Sequence, residues 1–179
     1  MDHHDLRAPV TTRRRWTPGG VAVLVVGLAL TTTGCLAAAP APRTRLQNGF
    51  LPDSMLQTIN PNCKIWKPAA QRLQIMMINA NRAGVQLTPE SCYRSYADQV
   101  AARNYWCSLG RCQFAAVPGT SVHGWGKAAD FPGQRGELTF SSVGYQGLSA
   151  NASSHCFVHP AWAQPTGSAP EPWHWEWTC

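Results

Sequence analysis

Ser121-Val-His123-Gly-Trp-Gly126-Lys-Ala128-Ala-Asp130 is the stretch on which the fold turns. It sets an imidazole and a carboxylate seven positions apart. On a straight strand, residues an odd number apart face opposite sides, so His123 and Asp130 meet only if the chain bends between them. Gly124 and Gly126 permit that bend. With Asp130 on the strand that follows and Phe131 facing inward, the two side chains converge.

A second stretch supplies a third donor. In Glu171-Pro-Trp-His174-Trp-Glu176-Trp-Thr-Cys179, a strand begun at Trp173 sends Trp173, Trp175 and Trp177 to one face and His174 and Glu176 to the other. Read alone, this is equally well a hydrophobic strand with polar residues in solvent. Beside His123 and Asp130, His174 completes a set of two histidines and one aspartate. Three N/O ligands with one open position describe a catalytic zinc site, whereas structural zinc is closed by four ligands, commonly cysteines. Zinc so held lowers the pKa of a water toward about 7, which makes a nucleophile at neutral pH.

The cysteines point elsewhere. There are seven, at 35, 63, 92, 107, 112, 156 and 179, with no Cys-x-x-Cys pair and no zinc-finger spacing. With Cys35 set aside, six remain, an even number that suits three disulfides in an oxidising compartment. Cys107 and Cys112 close a short loop around Ser108-Leu-Gly-Arg111 and are the most direct pair. Partners among Cys63, Cys92, Cys156 and Cys179 are not readable from spacing.

Cys35 stands apart because of what precedes it. Arg13-Arg14-Arg15 forms a positive region, Val21 to Leu30 is an apolar run too short to span a bilayer, and small residues follow. This is the pattern of an export signal. Thr32-Thr33-Gly34-Cys35 resembles a bacterial lipobox, with Thr where Leu is usual, which makes Cys35 the expected lipid attachment site. The rival is ordinary cleavage within Leu36 to Pro40, where proline after Ala39 is unfavourable. Thr12 to Trp16 also has a loose twin-arginine look.

The chain thus divides into a signal peptide of lipoprotein type at 1–35, a Pro/Ala-rich tether and N-terminal segment at 36–62, and one domain at 63–179. The formal charge is +6, of which the leader carries +2, leaving +4. This mild excess suits an anionic cell surface and includes no basic run that would indicate nucleic acid.

Within the domain, Pro68 to Ala83 reads as a helix with an apolar stripe of Leu73, Ile75, Met76, Met77 and Ala80, ended by Gly84. Val85 to Leu87 is a short strand candidate. A second helix starts at Ser95, whose spacing to Asp98 makes a capping box, and runs to about Trp106. Ser141 to Ser153 is a third, weaker one, Phe157 to His159 a strand, and Pro160 to Pro172 a proline-rich loop. Helices mixed with short strands point to an α+β class.

Three motifs in order carry a family resemblance. Tyr93-Arg94-Ser95 with Gln99, then Ser121-x-His123-x-x-Gly126-x-Ala128-x-Asp130, then Glu171-x-x-His174-Trp175 resemble the zinc D-alanyl-D-alanine carboxypeptidases of VanY and VanX type, grouped with lysostaphin-like and hedgehog-like domains. The resemblance covers about Cys63 to Cys179. It implies a small antiparallel sheet flanked by helices, one Zn2+ held by His123, Asp130 and His174, and Glu171 as the general base. It implies that Arg94 polarises the scissile carbonyl and that Ser121, Tyr93, Gln99 and Trp175 lie near the substrate.

Strand parity alone would choose Glu176 over Glu171 as the base, because Glu176 shares a face with His174. The prolines at 170 and 172 free Glu171 from that parity, and Glu176 then becomes a supporting carboxylate. Cys92, Cys156 and Cys179 depart from the family pattern and are expected to staple the walls of the site, with Cys63 as the fourth partner. The implied substrate is the peptide stem of peptidoglycan, cut at a terminal D-alanine. Cleavage inside the stem or cross-bridge, or wall binding without turnover, are the alternatives, and the membrane enters only through the leader or lipid.

Overall fold

In the computed structural model, residues 45–132 and 138–179 are described; the leader, Cys35 and the tether as far as residue 44 lie outside them. Strand β1 (Leu56–Asn60) turns back through Pro61-Asn62 into β2 (Cys63–Trp66), and the two pair antiparallel with Leu56 opposite Trp66. Asn60 Oδ1 accepts from the Asn62 N–H at 2.8 Å and shapes the turn. The expected domain start at Cys63 therefore falls inside a hairpin. Only Leu56 is buried on β1, so its sequence carries little apolar alternation and resembles a linker.

Trp66 passes the chain directly into helix α1 (Lys67–Arg82), with Pro68 in the first turn, where its missing N–H costs nothing. Ala69, Ala70, Leu73 and Met76 form its buried stripe. Ile75 does not belong to that stripe: two positions from Leu73 it is carried about 200° round the helix, and it is exposed. After Gly84 the segment Val85 to Leu87 forms no strand; Leu87 is buried without a ladder partner among the described residues.

Helix α2 (Tyr96–Ser108) begins where expected. Ser95 Oγ accepts from the Asp98 N–H at 3.1 Å, which satisfies one of the free donors of the first turn. Helix α3 (Val143–Asn151) is capped in the same way by Ser142. A 3-10 turn over Ala152–His155 then leads through Cys156, in a left-handed conformation, into strand β4 (Phe157–Val158).

The second sheet has the order β3-β5-β4, all antiparallel, with β3 at Ala128–Asp130 and β5 at His174–Trp177. Strand β5 is therefore central. Its register sets His174 directly opposite Asp130, Trp175 opposite Ala129 and Glu176 opposite Ala128. On its other edge Phe157 faces Trp177. Alternation then decides the faces: Trp175 and Trp177 enter the core with Ile65, Leu73, Phe131, Leu148 and Phe157, while His174 and Glu176 face the other way. Trp173 precedes the strand and escapes that rule.

Among the described residues three disulfides form: Cys63–Cys92, Cys107–Cys112 and Cys156–Cys179. The first ties β2 to the segment that leads into Tyr93. The last anchors the chain just beyond β5, where the Thr178 N–H also donates to the Cys156 carbonyl at 2.9 Å. Among the described residues no helix is long and apolar enough to cross a membrane.

Candidate metal centre and active-site cleft

His123 reaches the centre through a bend, as its spacing requires. Val122–Trp125 is a 3-10 turn, ended by Gly126 at φ +61°, a left-handed position that suits glycine. Strand β3 follows at once and brings Asp130 back beside His123. It is held from outside by the Asp130 N–H donating to the Ser91 carbonyl at 2.8 Å. Opposite Asp130 stands its cross-strand neighbour, His174.

The three side chains form one cluster. One ligand atom from each of His123, Asp130 and His174 lies within 4.8 Å of the others. His174 Nδ1 is 2.9 Å from Asp130 Oδ1 and 3.2 Å from His123 Nε2, and His123 Nε2 is 3.3 Å from Asp130 Oδ2. Both imidazoles are buried.

The outward nitrogens reveal which inward ones are free to ligate. His123 Nδ1 lies 2.6 Å from the Cys92 carbonyl, which can only accept, so Nδ1 carries the hydrogen and Nε2 presents a lone pair. His174 Nε2 donates to Glu176 Oε1 at 3.1 Å, which directs Nδ1 inward. Each histidine is thus oriented by a carbonyl or carboxylate, the arrangement typical of metal-ligating imidazoles. Lone pairs from two nitrogens and a carboxylate then converge on one point, which calls for a cation.

The electrostatics agree. Burial alone would raise the Asp130 pKa, but His123 and His174 outweigh it and hold the carboxyl well below the usual carboxylate range. Burial alone would lower that of His174, but its bonds to Asp130 and Glu176 raise it to about 9. Both shifts favour positive charge at the centre of the cluster. The residues fit a metal of borderline softness such as zinc, which takes histidine nitrogen and carboxylate oxygen together.

Around the cluster opens a cleft of about 810 Å³, lined by Arg94, Ser121, Trp162, Glu171, Trp173 and Glu176, among others. Glu171 is buried, and that burial pushes its carboxyl up to about 7, against the pull of His174 and Arg94. Its backbone is fixed on both sides: its N–H donates to the Ala163 carbonyl at 2.9 Å, and its carbonyl accepts from the His174 N–H at 3.2 Å. Arg94 donates to Gln99 Oε1 and Ser91 Oγ, both at 3.1 Å, and its Nη2 stands 3.8 Å from Asp130 Oδ2. Its guanidinium is thereby held at the edge of the cluster.

Three residues expected near the substrate lie elsewhere. Trp175 is in the core, stacked at 4.9 Å on the His159 ring, because its strand position faces away from His174. The indoles that line the cleft are Trp106, Trp173, outside the alternation of β5, and Trp162, whose ring lies 4.9 Å from that of His174. Gln99 is buried and links Arg94 to the Ala116 carbonyl, 2.8 Å from its Nε2, so it aims the arginine rather than facing the cleft. The Tyr93 hydroxyl accepts from the Leu51 N–H at 3.1 Å. Ser121 does line the cleft.

His159 also bears on the site, although it belongs to no motif. Its Nε2 donates to the Glu171 carbonyl at 3.1 Å, and its Nδ1 lies 3.3 Å from the Tyr145 hydroxyl. Burial lowers its pKa, which favours the neutral ring that this pattern uses. No spacing in the sequence marks a bond to a backbone carbonyl, so His159 reads there as merely structural.

Fold and cluster together define an α+β domain built around a three-donor metal centre with a buried carboxylate beside it. Residues 62–179 match the sequence model of VanY, D-alanyl-D-alanine carboxypeptidase, and the chain belongs to that family. Solved structures share the fold. VanYB in complex with D-alanine-D-alanine is 24% identical with a TM-score of 0.59, covering 69% of this chain and 77% of its own. A vancomycin-resistance D,D-pentapeptidase VanY from a VanB-type cassette, in complex with Zn(II), is 23% identical with a TM-score of 0.58, covering 71% and 82%. The LD-carboxypeptidase LdcB is 26% identical with a TM-score of 0.59, covering 73% and 70%. No curated protein matches the chain in sequence.

Proposed function

We propose that this protein is a zinc-dependent D,D-carboxypeptidase that removes the terminal D-alanine from peptidoglycan stem peptides. The observation that carries the reading is the convergence of His123, Asp130 and His174 on one point, with Glu171 and Arg94 lining the same cleft. Membership of the VanY family supplies the reaction class. His123 through Nε2, His174 through Nδ1 and Asp130 through its carboxylate would hold the ion. When bound, zinc supplies Lewis acidity, lowering the pKa of a water toward about 7 and polarising the scissile carbonyl.

The chain's own groups do the rest. Glu171, once ionised, takes the proton of the attacking water and returns it to the departing amine of D-alanine. Its raised pKa suits both tasks, because a carboxylate whose pKa lies near neutrality is a stronger base than an ordinary one and, once protonated, can still release the proton at working pH. Arg94, held in place by Gln99 and Ser91, presents N–H donors to the negative charge that develops on the carbonyl oxygen. Glu176 keeps the His174 ring turned, and Ser121 offers a polar contact on the cleft wall.

Export to the cell surface goes with this substrate. The basic and apolar leader supports it, and the three disulfides fit an oxidising compartment. Lipid attachment at Cys35 leaves the remaining cysteines even in number, and residues 36–44 would serve as the spacer.

The test is hydrolysis of isolated muropeptides followed by mass spectrometry. Pentapeptide stems should lose one alanine, a strong chelator should abolish the loss, and added Zn2+ should restore it. A stem split internally would make the enzyme an endopeptidase, and turnover indifferent to chelator would remove zinc from the reading.

A further inference from the structure

Residues 46–51 lie upstream of the family match, yet they hold the site from behind. Asn48 is buried, and its Nδ2 donates to the Ser121 carbonyl at 2.7 Å. The Gly49 N–H donates to the Gly124 carbonyl at 2.8 Å, while the Gly49 carbonyl accepts from the Tyr96 N–H at 2.9 Å. Two residues on, the Leu51 N–H bonds the Tyr93 hydroxyl. One short strap therefore grips both the turn that carries His123 and the segment that carries Arg94. These two are themselves joined by the Arg94 N–H and the His123 carbonyl at 3.1 Å.

The fit leaves no slack. A Cβ on Gly124 would collide with Asn48 Oδ1, and one on Gly49 would stand 2.6 Å from the Tyr96 nitrogen, with Gly49 at φ +83°. Both ends of the Asn48 carboxamide are thus engaged, Nδ2 by a hydrogen bond and Oδ1 by close packing on Gly124. The Val122–Trp125 turn is a single 3-10 turn with few bonds of its own, so its position depends on what grips it. Cys92 holds it through the His123 ring, and Asn48 holds it through the backbone.

We propose that Asn48 is a positioning residue for the metal centre, fixing the Ser121–Trp125 turn so that His123 Nε2 points at Asp130 and His174. The proposal rests on the zinc reading of the site. Residues hydrogen-bonded to the ligands themselves change metal affinity by about 10- to 100-fold when lost, and Asn48, which bonds the turn that carries one, is expected at the low end of that range.

The experiment compares Asn48→Ala and Asn48→Asp with Phe50→Ala, measuring zinc affinity by chelator competition, the visible spectrum of the Co2+-substituted protein, and kcat and KM. Phe50 belongs to the same strap, but its exposed ring only stacks on Tyr96 at 5.2 Å. Both Asn48 variants should bind zinc at least about tenfold more weakly, with an altered Co2+ spectrum and a fall in kcat. Phe50→Ala should keep the wild-type affinity and spectrum. If Asn48→Ala does not fold, Asn48→Asp, which keeps the shape and removes the donor, carries the test. Wild-type affinity and spectrum in the Asn48 variants would overturn the proposal, as would an equal loss in Phe50→Ala. If wild-type protein binds no zinc, it is the functional reading that fails.

Discussion

The floor of the cleft and its outer wall are built on different terms. On the floor, His123, Asp130, His174 and Glu176 satisfy one another, sit on or beside a paired strand, and are buried or half-buried. On the outer wall, Trp106, Arg111 and Phe114 stand on the end of α2 and the loop beyond it. That loop is held by the Cys107–Cys112 disulfide and by Arg103 donating to the carbonyls of Cys112 and Ala115. A floor whose groups orient each other can change only as a unit. A wall hung on a few external clips can vary in shape while the chemistry below is kept, which predicts that changes to the floor act on the reaction and changes to the wall on the choice of peptide.

The strongest test of that division is Glu171→Ala. It should lower kcat by about 10³-fold, within the range for loss of a general base, while zinc still binds. The same residue sets a pH limb. Its carboxyl is pushed up to about 7 by burial and must be ionised to act, so kcat/KM should fall as the solution is acidified through its pKa. A cation beside it favours the ionised form, so in the zinc enzyme the limb should lie below that value. An acid limb that survives in Glu171→Ala would assign it to another group.

Arg94→Ala comes next, with about 10²-fold lost from kcat, the usual cost of removing an oxyanion donor. A change confined to KM would make Arg94 part of peptide binding instead. The two tryptophans then set core against cleft. Trp175→Ala should destabilise the fold by about 3–5 kcal/mol in thermal or denaturant unfolding. Trp162→Ala, at the cleft, should raise KM with little effect on stability. A Trp175→Ala variant that kept its stability and raised KM would mean that the faces of β5 are reversed.

The smallest effect belongs to the wall. Cys107→Ser with Cys112→Ser should leave zinc affinity unchanged and alter KM a few-fold among stem peptides of different composition. A loss of metal would show that wall and floor are coupled after all.

Much of the floor was legible in one dimension because it depends on local rules. The glycines at 124 and 126 announce the bend, strand parity puts His174 and Glu176 together, and Ser95 with Asp98 marks the start of α2. Other features depend on partners distant in sequence. Asn48 meets Ser121 across 73 positions, and His159 meets the backbone of Glu171 across 12. A bond to a carbonyl leaves no trace in residue type, which is why both residues went unmarked. The hairpin that begins at Leu56 was missed for a related reason, since a strand with one buried residue has almost no periodic signal.

Residue chemistry and spacing were enough to determine the donor set and the six cysteines that remain beside Cys35, since each follows from side-chain type and short-range geometry. Glu171, by contrast, was marked by the family resemblance, against a strand parity that favoured Glu176. Only the tertiary structure decided the partners of Cys63, Cys92, Cys156 and Cys179, the indoles that face the cleft and the strap that holds the His123 turn. Those outcomes depend on strand register and on backbone groups meeting across the fold, and neither is encoded in any one segment.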